Sequence, residues 1–153
     1  MWNELGPELR GLPTLSRFKS SLLKLYRPIK KSVFDIFDST GLKWIFQLRV
    51  GLSPLKSHKK SHKFLDTPDD ICCCSLDTET THHFFLYCPQ FNEHRRLLFE
   101  TINPLLLENN LRFLDEKNLI HLLLYGHEKL DPESNNIFLT ATINFIRVSS
   151  RFS

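Results

Sequence analysis

Cys72-Cys73-Cys74-Ser75-Leu76-Asp77-Thr78-Glu79-Thr80-Thr81-His82-His83-Phe84-Phe85-Leu86-Tyr87-Cys88-Pro89 decides the reading of this chain. All four cysteines of the protein fall inside it, beside two of its seven histidines. Cys72, Cys74, His83 and Cys88 form the pattern C-x-C-x8-H-x4-C. Three thiolates and one imidazole are the soft ligand set of a closed tetrahedral Zn2+ site. The competing reading is a buried cysteine cluster packed as small apolar side chains; the spacing favours zinc, in a structural role. The C-x-C gap is tighter than the usual two-residue gap, so Cys73 stands as a substitute ligand, and His82 as a substitute for His83. On an ideal helix, residues five apart are separated by about 140°. His83 and Cys88 therefore cannot face one metal from an unbroken helix, and a break at Cys88-Pro89 is expected to swing Cys88 toward His83.

Periodicity and punctuation organise the sequence on either side. Leu15, Phe18, Leu22, Leu25 and Tyr26 recur at helical spacing until Pro28 stops the run. Ser39 or Thr40 can cap a second helix with the stripe Leu42, Ile45, Phe46 and Leu48, closed by Gly51 and Pro54. Residues 56–63, Lys-Ser-His-Lys-Lys-Ser-His-Lys, form a short basic segment without an apolar face, and 66–70 reads as loop. Thr80 or Thr81 can cap a helix entering His82 to Tyr87. Pro89 suits the first turn of another helix, running to about Leu107 with Phe91, Arg95, Leu98 and Ile102 on one side. Amphipathic segments follow at Leu114–Tyr125, closed by Gly126, and at Pro132–Val148, where Asp131-Pro132-Glu133 supplies cap, first-turn proline and acidic first turn. No segment sustains strand alternation. The expectation is a mainly α chain: a small helical domain organised around one CCHC-type, zinc-knuckle-like motif, with a basic helical segment over 1–65 and the motif with the C-terminal helices over 66–153.

Composition narrows the function classes. An apolar content of 41% argues against wholesale disorder, and no apolar run is long enough to span a bilayer. Met1-Trp2-Asn3-Glu4-Leu5 lacks the charged and apolar regions of a secretory signal, so cytoplasm or nucleus is the expected compartment, and the cysteines read as metal ligands in place of disulfides. The net charge of +3 hides an asymmetry: residues 14–63 hold twelve Lys/Arg against Asp35 and Asp38, whereas residues 64–153 carry a net −6. A basic first half suggests a face that meets a polyanion; the alternative is lysines docked on the acidic half. Lys56, Lys59, Lys60 and Lys63 are the first candidate phosphate contacts, then Lys30 and Lys31, with His58 and His62 beside them. Trp44, Phe84 and Phe85 could stack bases, although their helical spacing favours core packing.

Catalysis is poorly supported. A three-thiolate, one-imidazole site leaves no open position for an activated water. The five glycines build no phosphate loop, and no His-x-Glu accompanies the cysteines as a deaminase requires. Asp69-Asp70 reads as a cap or solvated turn, and His58, His94, His121 and His127 as surface or interface residues. Neither a small-molecule substrate nor a membrane is expected.

Several motifs together resemble a known family. Trp2-Asn3-Glu4-Leu5-Gly6-Pro7-Glu8-Leu9-Arg10 with Leu15-Ser16-Arg17-Phe18-Lys19 is similar to the segment that follows the polymerase core in reverse transcriptases of jockey-like non-LTR retrotransposons. Leu48-Arg49-Val50-Gly51-Leu52-Ser53-Pro54-Leu55 is similar to the helix end that precedes their Cys-rich motif. That motif is matched by Cys72, Cys74, Glu79, His83, Phe84, Phe85, Leu86 and Cys88, and its continuation by Phe91 and Arg95-Arg96. Leu123-Leu124-Tyr125-Gly126 and Phe145-Ile146 … Arg151-Phe152 fit the C-terminal tail. The resemblance implies a C-terminal remnant of such a polyprotein, beginning after palm and thumb, whose zinc-stabilised module helps hold template RNA or target DNA. The family's paired catalytic aspartates and its endonuclease have no counterpart here, so a non-catalytic module is expected. Two alternatives remain: docking on the parent polymerase through the Leu22-Leu23 stripe, or a decayed fragment without selected function.

Overall fold

A computed structural model describes residues 38–152. The helix expected over Leu15–Tyr26, the Leu22-Leu23 stripe, and Lys30 and Lys31 lie outside the described residues. Among the described residues five α-helices follow in order: α1 (Ser39–Arg49), α2 (Lys56–Ser61), α3 (Asn92–Glu108), α4 (Glu116–Tyr125) and α5 (Pro132–Val148). A π-type turn, His83–Tyr87, and a short 3-10 turn, Pro89–Phe91, separate α2 from α3. Among the described residues there is no strand, and the single β-bridge, Ile71 to Thr78, pins the loop that carries the first cysteines. The fold is mainly helical, as expected.

The central element is α5, which packs against α1, α3 and α4. Its apolar residues come round often enough to bury Phe138, Leu139, Ile143, Phe145 and Ile146. Asp131 caps it by accepting from the N–H groups of Glu133 and Ser134, with Pro132 at its start. The approach of α1 to α5 is close at Gly41, where a Cβ would stand 2.3 Å from Ile143 Cγ2. Gly126 ends α4 at a φ of 77°, a conformation that suits glycine. Below it, Asn135 bonds the His127 N–H and the carbonyls of His127 and Leu130, so a buried amide satisfies a whole turn.

One local expectation is corrected, and one segment has an unexpected support. The cap of α1 is Asp38, whose carboxylate accepts from Gly41 N–H, and not Ser39 or Thr40, which lie inside the helix. The carboxylate also meets Arg147 of α5, a partner that a hydroxyl could not hold by charge. Residues 56–61, which have no apolar face, are nevertheless helical. No propensity argument explains so short a helix alone. Its first N–H, at Lys56, donates to the Glu79 carboxylate at 2.7 Å, and both Ser57 N–H and hydroxyl donate to the Glu79 carbonyl. The helix forms because the cysteine loop supplies its cap.

Candidate metal centre

Two short pieces of backbone bring the ligand residues together. The first is the turn Cys72–Thr78. Cys72 N–H donates to Asp77 O at 2.8 Å, and Ser75 N–H donates to Cys72 O at 2.8 Å. Ser75 adopts a φ of 63°, which reverses the chain so that Cys72 and Cys74 point the same way. The second piece begins at Thr80, whose hydroxyl oxygen accepts His83 N–H at 3.0 Å, the cap expected there. The helix that starts at Thr81 then widens: Cys88 N–H donates to His83 O at 2.7 Å, an i→i+5 bond. That closure returns Cys88 to His83's side, so the widened turn, with the break before Pro89, solves the angular problem posed by an ideal helix. Cys88 itself is non-helical, at φ −59° and ψ 117°.

The result is compact. The ligand atoms of Cys72, Cys74, His83 and Cys88 all lie within 4.8 Å of one another and could hold a metal ion. Cys72 Sγ is 3.6 Å from Cys88 Sγ, and Cys74 Sγ is 3.2 Å from His83 Nε2. Cys72, Cys88 and His83 are buried, and Cys74 is half-buried. His83 Nδ1 is buried without a hydrogen-bond partner, 3.8 Å from an Asp77 carboxylate oxygen that is placed to orient the ring.

Electrostatics divide the thiols. Burial pushes the thiols of Cys72 and Cys88 up from their ordinary value, against the N–H groups of Cys74 and Gln90 that favour their thiolates. The Leu76 N–H aimed at Cys74 holds that thiol below its ordinary value, with Asp77 N–H adding to the effect. At least one backbone N–H thus faces each of the three sulfurs.

The substitute ligands stand elsewhere. Cys73 is exposed and donates to Gln90 Oε1 at 2.9 Å, although its sulfur lies 3.8 Å from that of Cys72. His82 Nε2 sits 3.4 Å from a Glu116 carboxylate oxygen. Glu79, which shares a potential ligand group with Cys72 and Cys73, is committed to other partners.

Those partners are residues that sequence reasoning did not assign to the site. Glu79 is 1% exposed, and its carboxylate takes two bonds from Arg151, at 2.6 and 2.5 Å, beside the one from Lys56 N–H. Arg151 also donates to Pro54 O at 3.0 Å. One ion pair therefore ties the cysteine loop, the start of α2 and the C-terminal end of the chain. Arg95 works on the other side: its guanidinium donates to Phe85 O at 2.8 Å and Cys88 O at 2.7 Å, bracing the widened turn. Nothing in local periodicity marks these roles; the sequence signal was only that Glu79, Arg95 and Arg151 fall in the matched motifs.

Behind the centre, Phe84 and Phe85 are fully buried. Phe84 packs on Phe91 and Phe145 with centroids 5.1 Å away, and Phe85 stacks on Phe145 at 5.2 Å. Burying each side chain stabilises by roughly 2–3 kcal/mol. The two rings bolt the ligand turn to α5 and are not available to stack on bases. Trp44 is half-buried against Phe152.

The lysine segment takes the second of its two sequence readings, its lysines paired with carboxylates of the acidic half. Lys56, Lys59 and Lys60 pair with Asp69, Asp66 and Asp70 at 3.2, 3.0 and 2.9 Å. Asp69 also accepts Ile71 N–H, so the acidic turn is both a cap and a counter-charge. Lys63 carries no ion pair among the described residues. His58 is half-buried between Ser53 and Thr81 and is not a free surface residue.

No helix among the described residues is long and apolar enough to cross a membrane. No family model and no solved structure matches the chain. Among curated proteins it is similar to the serine/threonine-protein kinase sgk-1 of Caenorhabditis elegans, 30% identical over 108 residues that make up 65% of this chain. The match spans 22% of that relative's length, a fragment that carries no site residue across.

Proposed function

We propose that this chain is a non-catalytic zinc module that contacts RNA or DNA through its basic half, as the likeness to the C-terminal region of jockey-like reverse transcriptases implies. The observation that carries the zinc reading is the donor geometry. With Zn–S bonds of about 2.3 Å and Zn–N of about 2.0–2.1 Å, a tetrahedral site has S···S edges of roughly 3.8 Å and S···N edges of roughly 3.5 Å. The separations of 3.6 and 3.2 Å lie within a few tenths of an ångström of those edges. Four protein ligands complete the coordination and leave no place for a reacting water, so the metal's role is structural. The partial likeness to a kinase adds no phosphotransfer reading, because the sequence holds no glycine-rich phosphate motif.

Support for the nucleic-acid half is electrostatic. The lysines on α2 are held by carboxylates in contact with water, and such solvent-screened pairs contribute little, so phosphates can replace them. The same pairs favour a second reading, docking on a polymerase core, since they leave fewer free cations for a polyanion. The compartment that fits either reading is cytoplasm or nucleus.

Two measurements test this. Metal analysis of the purified protein should find one zinc per chain, and a chain free of metal ends the zinc reading. Fluorescence anisotropy of the zinc-loaded protein with single-stranded RNA and duplex DNA should show affinity falling steeply with salt, and further falling for Lys59→Glu/Lys60→Glu. No binding at low salt would leave docking as the function.

A further inference from the structure

A cleft of about 350 Å³ opens between α2, the turn before the π segment and α4, lined by Ser57, His58, Thr80, Thr81, His82 and Lys117. We propose that this cleft seats a phosphodiester of the bound strand, with Lys117 as its cation and the Thr80 and Thr81 hydroxyls as its donors; the proposal rests on the nucleic-acid reading above.

The lining contains no carboxylate. The nearest acid in sequence, Glu116, accepts from the Tyr87 hydroxyl and lies 3.4 Å from His82 Nε2. Lys117 is exposed and has no ion-pair partner among the described residues, in contrast with Lys56, Lys59 and Lys60. A strand arriving at Lys117 displaces no protein carboxylate.

Two hydroxyls face the cleft. Thr80 Oγ1 accepts His83 N–H, which leaves its own proton uncommitted. Thr81 Oγ1 lies 3.4 Å from His58 Nε2, and His58 Nδ1 lies 2.7 Å from Ser53 Oγ. With the ring proton on Nε2, Thr81 Oγ1 accepts from His58 and keeps its own proton for a ligand. Phosphate oxygens only accept, and a cleft offering one ammonium and two hydroxyl donors is complementary to them. Ser57 and His58 belong to α2, the helix that also carries Lys56, Lys59 and Lys60.

The test compares Lys117→Glu, Lys117→Arg and Thr81→Val with Lys129→Glu, an exposed control on another turn. All are made in the full zinc-loaded chain and checked for unchanged metal content and melting. Anisotropy should show Lys117→Glu binding roughly tenfold more weakly, with the salt slope reduced by about one. Lys117→Arg should bind like the parent and Thr81→Val about threefold more weakly, a hydroxyl donor contributing less than a charge. Equal effects of Lys117→Glu and Lys129→Glu would overturn the cleft while leaving the nucleic-acid reading in place, provided Lys59→Glu/Lys60→Glu still weakens binding. A parent protein with no salt-dependent binding would overturn both.

Discussion

The cysteine loop and the lysine helix are neighbours in sequence, yet they behave oppositely on folding. In the loop, residues of one chemical class converge: four soft donors come within 4.8 Å. In the helix, residues of one charge are drawn apart from any common target, because each of Lys56, Lys59 and Lys60 finds its own aspartate. Metal ligands tolerate only a narrow geometry, so their spacing carries structural information. A charge accepts any counter-charge within a few ångströms, so a basic run says little about what neutralises it.

The largest expected effect breaks the convergence directly. Cys88→Ser removes a buried ligand from the centre of the widened turn, and binding energy at such a site is folding energy. Zinc content should fall toward zero and the region 70–95 should lose its amide protection; full stoichiometry with parental melting would mean the ligand set is wrong. Next comes Glu79→Gln, which leaves Arg151 without its anion. Breaking a buried pair costs about 3–5 kcal/mol, here about 3 because Arg151 keeps some contact with water. Urea unfolding of the zinc-loaded protein measures it, and a loss under about 1 kcal/mol would show that the loop and helix are not joined through this carboxylate.

Arg95→Met is smaller and sharper. It keeps the length of the side chain but deletes the bonds to Phe85 O and Cys88 O. Removing an outer-shell support typically costs 10–100-fold in metal affinity, which competition with a chromophoric chelator reads out. Unchanged affinity would mean that the turn holds its shape without the brace. The smallest effect lies on the lysine side. Asp66→Asn/Asp69→Asn/Asp70→Asn should leave melting nearly unchanged and tighten nucleic-acid binding several-fold with a steeper salt slope. Acid should act similarly. The lysines hold these three carboxyls below the usual carboxylate range, so the pairs contribute above the ordinary value near 3.9 and are lost as pH falls through the lowered one. Weaker binding by the triple variant would show that the aspartates present the lysines and do not compete for them.

Much of the architecture was legible beforehand. The helix at roughly Pro132 to Val148 was readable because a cap, a first-turn proline and an apolar stripe agree there. The segment Pro89 to about Leu107 was readable less finely, as its first turn is 3-10 and the α-helix runs Asn92–Glu108. The break at Cys88 was also expected, but the widening before it was not, since an i→i+5 bond leaves no mark on apolar periodicity. What supports α2 was not legible for a related reason: its first N–H is met by a carboxylate 23 residues away.

The sequence by itself determined the helical class, most helix positions and the cluster of soft ligands, because these depend on neighbours within a few residues. Only the tertiary structure decided which of Cys72, Cys73 and Cys74 face inward, that His83 and not His82 joins them, and that Arg151 neutralises Glu79 across 72 positions. It likewise decided that three lysines spend their charge on their own loop. Direction of a side chain and choice of a distant counter-ion are properties of packing, and packing is settled by all the elements at once.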